Sequence, residues 1–127
     1  MNKRGTAAVE FALAFPLLLL AFLAAFELFR LVQAQRSLDV AVTRALRYGA
    51  VRSTSASSAD IQGIATSTLT ALLGSAGGAG VTVSFSPAYA PGDQLTVSAQ
   101  LPWTAAFLPG EFAAVTLTAS GAITVQN

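Results

Sequence analysis

A single carboxylate, Glu10, stands at the head of a long apolar segment. From Phe11 to Phe26 the sequence reads FALAFPLLLLAFLAAF and contains no charged residue. An acidic side chain within a membrane helix costs roughly 2.5–3.5 kcal/mol on insertion scales. Because a charge in a medium of low polarity must be paired, Glu10 requires an opposite charge or an interface between the subunits of a polymer.

Three classes of N-terminal segment fit this pattern. A membrane-spanning helix needs about 20 apolar residues, and residues 6–26 are long enough if one carboxylate is tolerated near the end. A secretory signal peptide would use Lys3 and Arg4 as its basic start, but the residues after Phe26 offer only a poor small-residue cleavage site. The third class, the type IV prepilins, is cut before the apolar segment, after Gly5, and keeps the helix.

Residues 5–11, GTAAVEF, look like the processing motif of Flp-type pilins and pseudopilins: a glycine, a four-residue spacer, a glutamate and an aromatic residue. The longer stretch GTAAVEFALAFPLLLLAFLAAFELFR resembles the opening of the TadE-like pseudopilin family of the Tad (tight adherence, Flp-type IVb) pilus system. TadE, TadF and TadG proteins share this start. The resemblance implies a type IV pilin-like minor pilin or pseudopilin, a structural subunit involved in pilus assembly or adhesion.

The resemblance also implies roles for individual residues. A prepilin peptidase would cut between Gly5 and Thr6, and residues 1–5 would be the leader. Glu10 of one subunit would pair with the new α-ammonium group of Thr6 on a neighbouring subunit, and Phe11 completes the assembly motif. The implied partners are the inner membrane, the prepilin peptidase, and other pilins or pseudopilins of the same system.

Pro16 lies inside the apolar helix. Proline lacks a backbone donor and clashes with the preceding turn, so we expect a kink or a locally opened turn at this point. In type IV-like pilins such a proline can accompany local melting of the helix within the filament. In an ordinary membrane helix it produces a simple kink, and the sequence leaves both interpretations open.

The charges that flank the apolar segment predict its orientation. Lys3 and Arg4 precede it and favour a cytoplasmic N-terminus, whereas Arg30 and Arg36 on the other side weaken this bias. Together with the family resemblance, the charges predict a single-pass inner-membrane protein. Its C-terminal domain would lie in the periplasm, and the subunit could enter an extracellular pilus.

The whole pattern predicts an α+β fold with a long N-terminal transmembrane and amphipathic helix, a second helix and a small three-stranded antiparallel sheet. The expected organisation is a leader at 1–5, the long helix at 6–52, and a small periplasmic α+β domain at 53–127. Gly49 is expected to cap the first helix. Helical spacing predicts that the buried stripe of this helix consists of Leu28, Leu31, Leu38, Val42, Ala45, Leu46 and Gly49.

The second helix and the sheet follow from the same kind of pattern. Ser57 or Ser58 should cap a helix with Asp60 in its first turn. Alternation with period two then predicts three antiparallel strands with one buried face. Residues 91–93, PGD, predict a turn between the first two strands, and Gly121 predicts a bulge or bend in the third.

The connection between the second and third strands is long and rich in large apolar residues. It spans residues 102–112, and we expect its side chains to fold back as a lid on the core. An exposed contact surface is the other interpretation of this loop. The residues concerned are Trp103, Phe107, Leu108 and Phe112.

The sequence contains few of the residue types that enzymes use for catalysis. There is no His or Cys to act as a base, a nucleophile or a soft metal ligand. We therefore expect a non-enzyme with no catalytic, cofactor or metal site, and with no nucleic acid or small-molecule substrate as partner. The carboxylates outside the apolar segment are scattered and fit helix surfaces or turns: Glu27, Asp39, Asp60, Asp93 and Glu111.

Two other interpretations remain open. The alternative function is that of an uncleaved single-pass membrane-anchored protein whose extracytoplasmic domain binds a partner in the cell envelope. A third interpretation is a binding domain that signal peptidase releases by a cut near residue 27. The N-terminal residue of the protein isolated from membranes separates these cases.

Overall fold

The computed structural model describes residues 3–52, 56–74, 80–86, 90–107 and 114–126. Two helices precede three strands, which confirms the predicted α+β fold. The elements are α1 (Lys3–Val51), α2 (Ser58–Leu73), β1 (Gly80–Ser86), β2 (Gln94–Thr104) and β3 (Ala114–Thr124).

The two halves of α1 have different surroundings. Its first half is exposed over most of its circumference, and its second half packs against α2 and the sheet. The predicted stripe is correct from Leu31 onward but wrong for Leu28, which is 65% exposed. The side chains of α1 that belong to the core are Ala34, Leu38, Ala41, Val42, Ala45 and Leu46.

A capping box starts α2. Ser57 is the N-cap residue: its hydroxyl accepts a hydrogen bond from the backbone N–H of Asp60, and its own N–H donates to the Asp60 carboxylate. These hydrogen bonds from Ser57, the backbone one first, lower the pKa of Asp60 below its ordinary value. The predicted cap and first turn are therefore confirmed. The buried apolar side chains of this helix are Ile61, Ala65 and Leu69.

The three strands form one antiparallel sheet in the order β1-β2-β3. Strand β2 is central, and its alternate side chains Leu95, Val97, Ala99 and Leu101 are buried against the helices. The predicted turn after β1 is present at Pro91 and Gly92. Gly92 has a φ of 94°, a conformation that favours glycine.

Two glycines were assigned the wrong roles from the sequence. Gly49 does not cap α1, because the helix continues to Val51 and Gly49 is buried within it. Gly121 is not a bulge, because the pairing of β2 with β3 runs unbroken from Gln94 to Thr104. Both glycines instead allow close packing. A Cβ atom on Gly121 would lie 2.6 Å from Leu46 Cδ1, and one on Gly49 would meet Leu95 and Ile61.

Strand β2 runs antiparallel to α1. Gly49 lies against Leu95 near the start of the strand, and Arg30 lies over the ring of Trp103 near its end. The two contacts are about 28 Å apart along the helix and about 27 Å apart along the strand, so the two axes are nearly aligned. The loop that follows β2 is therefore next to the point where the apolar segment of α1 ends.

The close approach at Gly49 gives a test of this packing. Gly49→Ala should lower the thermal midpoint, because overpacking a core typically costs 1–3 kcal/mol, which about 1 kcal/mol of helix propensity does not fully offset. Gly63→Ala is the matched control. A Cβ atom there meets nothing within 4 Å, so the substitution should raise the midpoint. Thermal unfolding of the full chain in detergent compares the two, and a stabilising Gly49→Ala would contradict the packing.

Candidate membrane and assembly site

The residues predicted to act in processing and assembly all lie in the first half of α1. Gly5, Thr6, Glu10 and Phe11 are exposed, and the helix continues through Pro16. A Cβ atom on Gly5 would meet nothing within 4 Å. Among the side chains that the structure describes, Glu10 has no hydrogen-bond or ion-pair partner within its own chain. These residues are thus accessible, and their roles stay predictions.

The first half of α1 presents a continuous apolar surface. Within the described residues it is the one helix long and apolar enough to cross a membrane, and none of its most apolar 18-residue stretch is buried. Such an extended apolar surface marks contact with lipid or with other proteins. Its large exposed residues are Val9, Phe11, Leu13, Phe15, Leu17, Leu18, Leu19, Leu20, Phe22 and Phe26, and Leu28, Phe29 and Val32 continue the exposed surface beyond Glu27.

A buried carboxylate marks the boundary between the two halves of α1. Glu27 is only 3% exposed, although it directly follows the apolar segment. Its Oε1 atom accepts hydrogen bonds from the backbone N–H groups of Ala106 and Phe107, at 2.8 and 3.2 Å. The guanidinium group of Arg30 donates to both carboxylate oxygens, at 3.1 and 3.2 Å. Glu27 therefore fastens the start of the β2–β3 loop (residues 105–113) to α1.

We call the contact of Glu27 with Arg30, Ala106 and Phe107 the Glu27 junction, and aromatic side chains surround it. The guanidinium carbon of Arg30 lies 6.0 Å from the ring centroid of Trp103, which packs against the core. The rings of Phe26 and Phe107 are 6.4 Å apart. Phe107 also lines a small cleft of about 50 Å³ against α1, together with Leu20, Leu23, Ala24 and Glu27. The junction thus joins the loop to both the core and the apolar segment.

The lid predicted for the second connection is only partly correct. Strand β2 extends through Thr104, so Trp103 belongs to the sheet and packs on the core from there. Phe107 remains 55% exposed and contacts α1 instead of the core. Leu108 and Phe112 lie outside the described residues.

Sequence reasoning missed the importance of Glu27, which it grouped with surface carboxylates. The signal was its position: Glu27, Leu31, Ala34 and Leu38 follow one another at spacings of four, three and four. That spacing places Glu27 on the same face as the buried stripe. A carboxylate on a core-facing stripe requires polar partners, and the loop after β2 supplies them.

A larger open cleft of about 310 Å³ adjoins Arg30. Its polar lining comes mainly from Arg30, Gln33 and Thr104, with Leu72 and Trp103 on the apolar side. Arg30 is the charged residue of this lining, and Glu27 already neutralises its charge. Nothing among the described residues groups three or more metal-ligating side chains. The arrangement at this cleft therefore offers little to an anion or a metal ion.

These features define a class of protein. An exposed apolar half-helix continues without a break into a small α+β domain, which suggests a protein anchored in a membrane by its N-terminal helix. The model of the TadE-like protein family matches residues 5–47, about a third of the chain. This match confirms the resemblance seen at the N-terminus and supports the TadE-like family of Tad pilus systems, which implies a Tad pilus-associated protein.

No curated protein and no solved structure matches this chain. The family match ends at residue 47, so it covers most of α1 but neither α2 nor the sheet. The arrangement of the C-terminal domain therefore rests on the structure itself.

Glu27 is expected to stabilise the domain. Glu27→Ala leaves two N–H groups and Arg30 without their acceptor, and one hydrogen bond to a charged group contributes roughly 1.5–3 kcal/mol. Arg30 is partly exposed, so the loop N–H groups should account for most of the loss. Glu27→Gln, which keeps one acceptor oxygen, should lie between Ala and wild type. Denaturant unfolding of the full chain in detergent measures these differences.

Glu10→Ala is the matched control for that series. It removes a carboxylate from the same helix, but from an exposed position without a partner within the described part of the chain. Its unfolding midpoint should equal that of the wild type. If Glu27→Ala unfolded at the same denaturant concentration as Glu10→Ala, the stabilising role of the junction would be contradicted.

Proposed function

We propose that this protein is a minor pilin or pseudopilin, a structural subunit of a Tad-type pilus that acts in pilus assembly or adhesion. The exposed apolar half of α1 is the observation that carries this proposal, because such a surface needs lipid or a helix-lined polymer core. A prepilin peptidase would cut the precursor between Gly5 and Thr6. The N-terminus would be cytoplasmic and the C-terminal domain periplasmic.

The dimensions of α1 support the membrane-bound stage. Residues 6–26 extend over about 31 Å as a helix, close to the roughly 30 Å of a bilayer's hydrocarbon core. Glu27, the next residue, is the first charged residue after Glu10 and also the first buried residue of α1. The exposed apolar part of the helix therefore continues without a linker into the part that packs on the domain.

The charge at Glu10 supports the assembly stage. A carboxylate four residues from the new N-terminus has no partner among the described side chains of its own chain. When subunits move from lipid into a polymer, the α-ammonium group of Thr6 on a neighbour would supply the missing charge. Pairing with a neighbouring subunit would then be available only in the assembled state, which makes this ion pair a criterion for correct assembly.

The other interpretations fit the structure less well. A secreted domain would require cleavage near residue 27, which would cut through continuous helix α1 and disturb the Glu27 junction. An uncleaved membrane anchor needs the same apolar helix but gives no reason for Glu10. The scattered carboxylates and the absence of His and Cys favour a structural subunit over an enzyme.

Processing can be tested at Gly5. Protein purified from membranes should begin at Thr6, whereas an uncleaved anchor begins at Met1 and a secreted domain begins near residue 27. Gly5→Leu should leave a precursor about five residues longer that is still membrane-bound, because the apolar helix is untouched. Intact-mass analysis and N-terminal sequencing measure both points, and a Thr6 terminus in the Gly5→Leu protein would refute the cleavage site.

Assembly can be tested at Glu10. Glu10→Ala removes a charge from lipid, so insertion should be no worse than in the wild type. The neighbour's ammonium would lose its partner, at a cost of several kcal/mol if buried, so incorporation into pili should fall sharply. Val9→Ala is the control, since it trims a neighbouring side chain and keeps the charge. Wild-type incorporation of Glu10→Ala at matched membrane abundance would contradict the assembly role.

A further inference from the structure

We propose that the start of the β2–β3 loop forms a second contact with the membrane, in which the Phe107 ring enters the lipid beside α1. The proposal rests on the membrane anchoring by α1 described above. It assigns a function to the junction at Glu27: the junction holds the loop at the depth where the bilayer begins.

The depth follows from the residues that Phe107 meets. It shares a cleft with Leu20, Leu23 and Ala24, all of which belong to the apolar segment. Leu20 lies about 9 Å before Phe26 along the helix axis, toward the centre of the span. If residues 6–26 cross the hydrocarbon, a side chain that lines one cleft with Leu20 and Leu23 and contacts Phe26 lies at or inside the hydrocarbon boundary.

The exposure of Phe107 fits lipid better than water. Its ring is 55% exposed, and the rings of Phe22, Phe26 and Phe29 on α1 are exposed as well. They surround the end of the apolar segment, where a bilayer changes from hydrocarbon to head groups. Aromatic side chains near this depth can bury most of their area in lipid at little cost in conformational entropy.

Two backbone N–H groups at the start of the loop have hydrogen-bond partners within the protein. Non-helical backbone at membrane depth is tolerated only where its polar groups are satisfied by the protein. The N–H groups of Ala106 and Phe107 both donate to the Glu27 carboxylate, and Arg30 balances its charge. These two N–H groups therefore need no water as a partner, and the ring beside them can enter lipid.

A second contact would fix the orientation of the domain relative to the membrane. Strand β2 is nearly aligned with α1, and its far end lies beside Gly49. With α1 and Phe107 both held in lipid, the sheet would stand along the membrane normal with the turn at Pro91 and Gly92 pointing away from the bilayer. The alternative occupant of the Phe107 surface is a neighbouring pilin subunit.

Fluorescence quenching by brominated lipids can test this contact. Trp103 is the single tryptophan of the chain, so Trp103→Phe gives a background into which one new tryptophan is placed. The full-length Phe107→Trp protein, reconstituted in phosphatidylcholine vesicles, should lose emission when the acyl chains are brominated near their head-group end. It should lose less when they are brominated near the methyl end.

Two control positions separate this proposal from the membrane anchor. Phe22→Trp lies within the apolar segment and should be quenched, whereas Val51→Trp, at the far end of α1, should not. Quenching at Phe22→Trp without quenching at Phe107→Trp would overturn the second contact and leave the anchor intact. No quenching at Phe22→Trp would overturn both.

A second measurement leaves Trp103 in place. The chain has no cysteine, so Phe107→Cys can carry a unique nitroxide label. The label should be more accessible to dissolved oxygen than to a water-soluble nickel complex, as at Phe22→Cys and unlike at Val51→Cys. Nickel accessibility equal to that of Val51→Cys would overturn the proposal. So would a Phe107 label that is shielded only in assembled pili, which would show that the surface contacts another subunit.

Discussion

The buried carboxylate of Glu27 lies where α1 changes from an exposed helix to a helix that packs on the domain. Before this residue most of the circumference of α1 is exposed and apolar, and after it the helix has one buried face. The carboxylate itself is buried, and it is satisfied by the loop that ends the central strand. Since Arg30 supplies the opposite charge from the next helical turn, the junction is electrically neutral where the helix leaves the domain. This contact fixes the start of the β2–β3 loop at the end of the interface between α1 and the core.

Close packing above the junction depends on small residues. Ala34, Ala41, Ala45 and Gly49 follow the face of α1 that meets the core, and Gly121 of β3 leaves room for Leu46. Small side chains on one element let large ones on the other fill the space, as close-packed interiors require. The sheet thus lies directly on the helix, and a movement of α1 would carry the domain with it.

The sequence predicted the elements better than it predicted their contacts. Alternation with period two identified the strands, and the Ser57–Asp60 pair identified the start of α2, because both signals are local. The roles of Gly49 and Gly121 were wrong because each was interpreted by backbone freedom, whereas the structure uses the missing Cβ atom against a distant side chain. Glu27 was missed because its partners, Ala106 and Phe107, are about 80 residues away in sequence.

The two carboxylates that flank the apolar segment both need an opposite charge or hydrogen-bond donors, and they differ in where these partners are found. Glu27 is buried, and the hydrogen bonds it accepts come from its own chain, so its role is complete in a single subunit. Glu10 finds no such partner among the described side chains, yet it precedes a segment that belongs in lipid or in a polymer core. In the proposed pilus subunit, Glu10 would favour the state in which another molecule supplies the opposite charge, because an unpaired charge is unfavourable in either medium. The proposal thus gives the two carboxylates different roles: Glu27 stabilises a single chain, and Glu10 would act between chains.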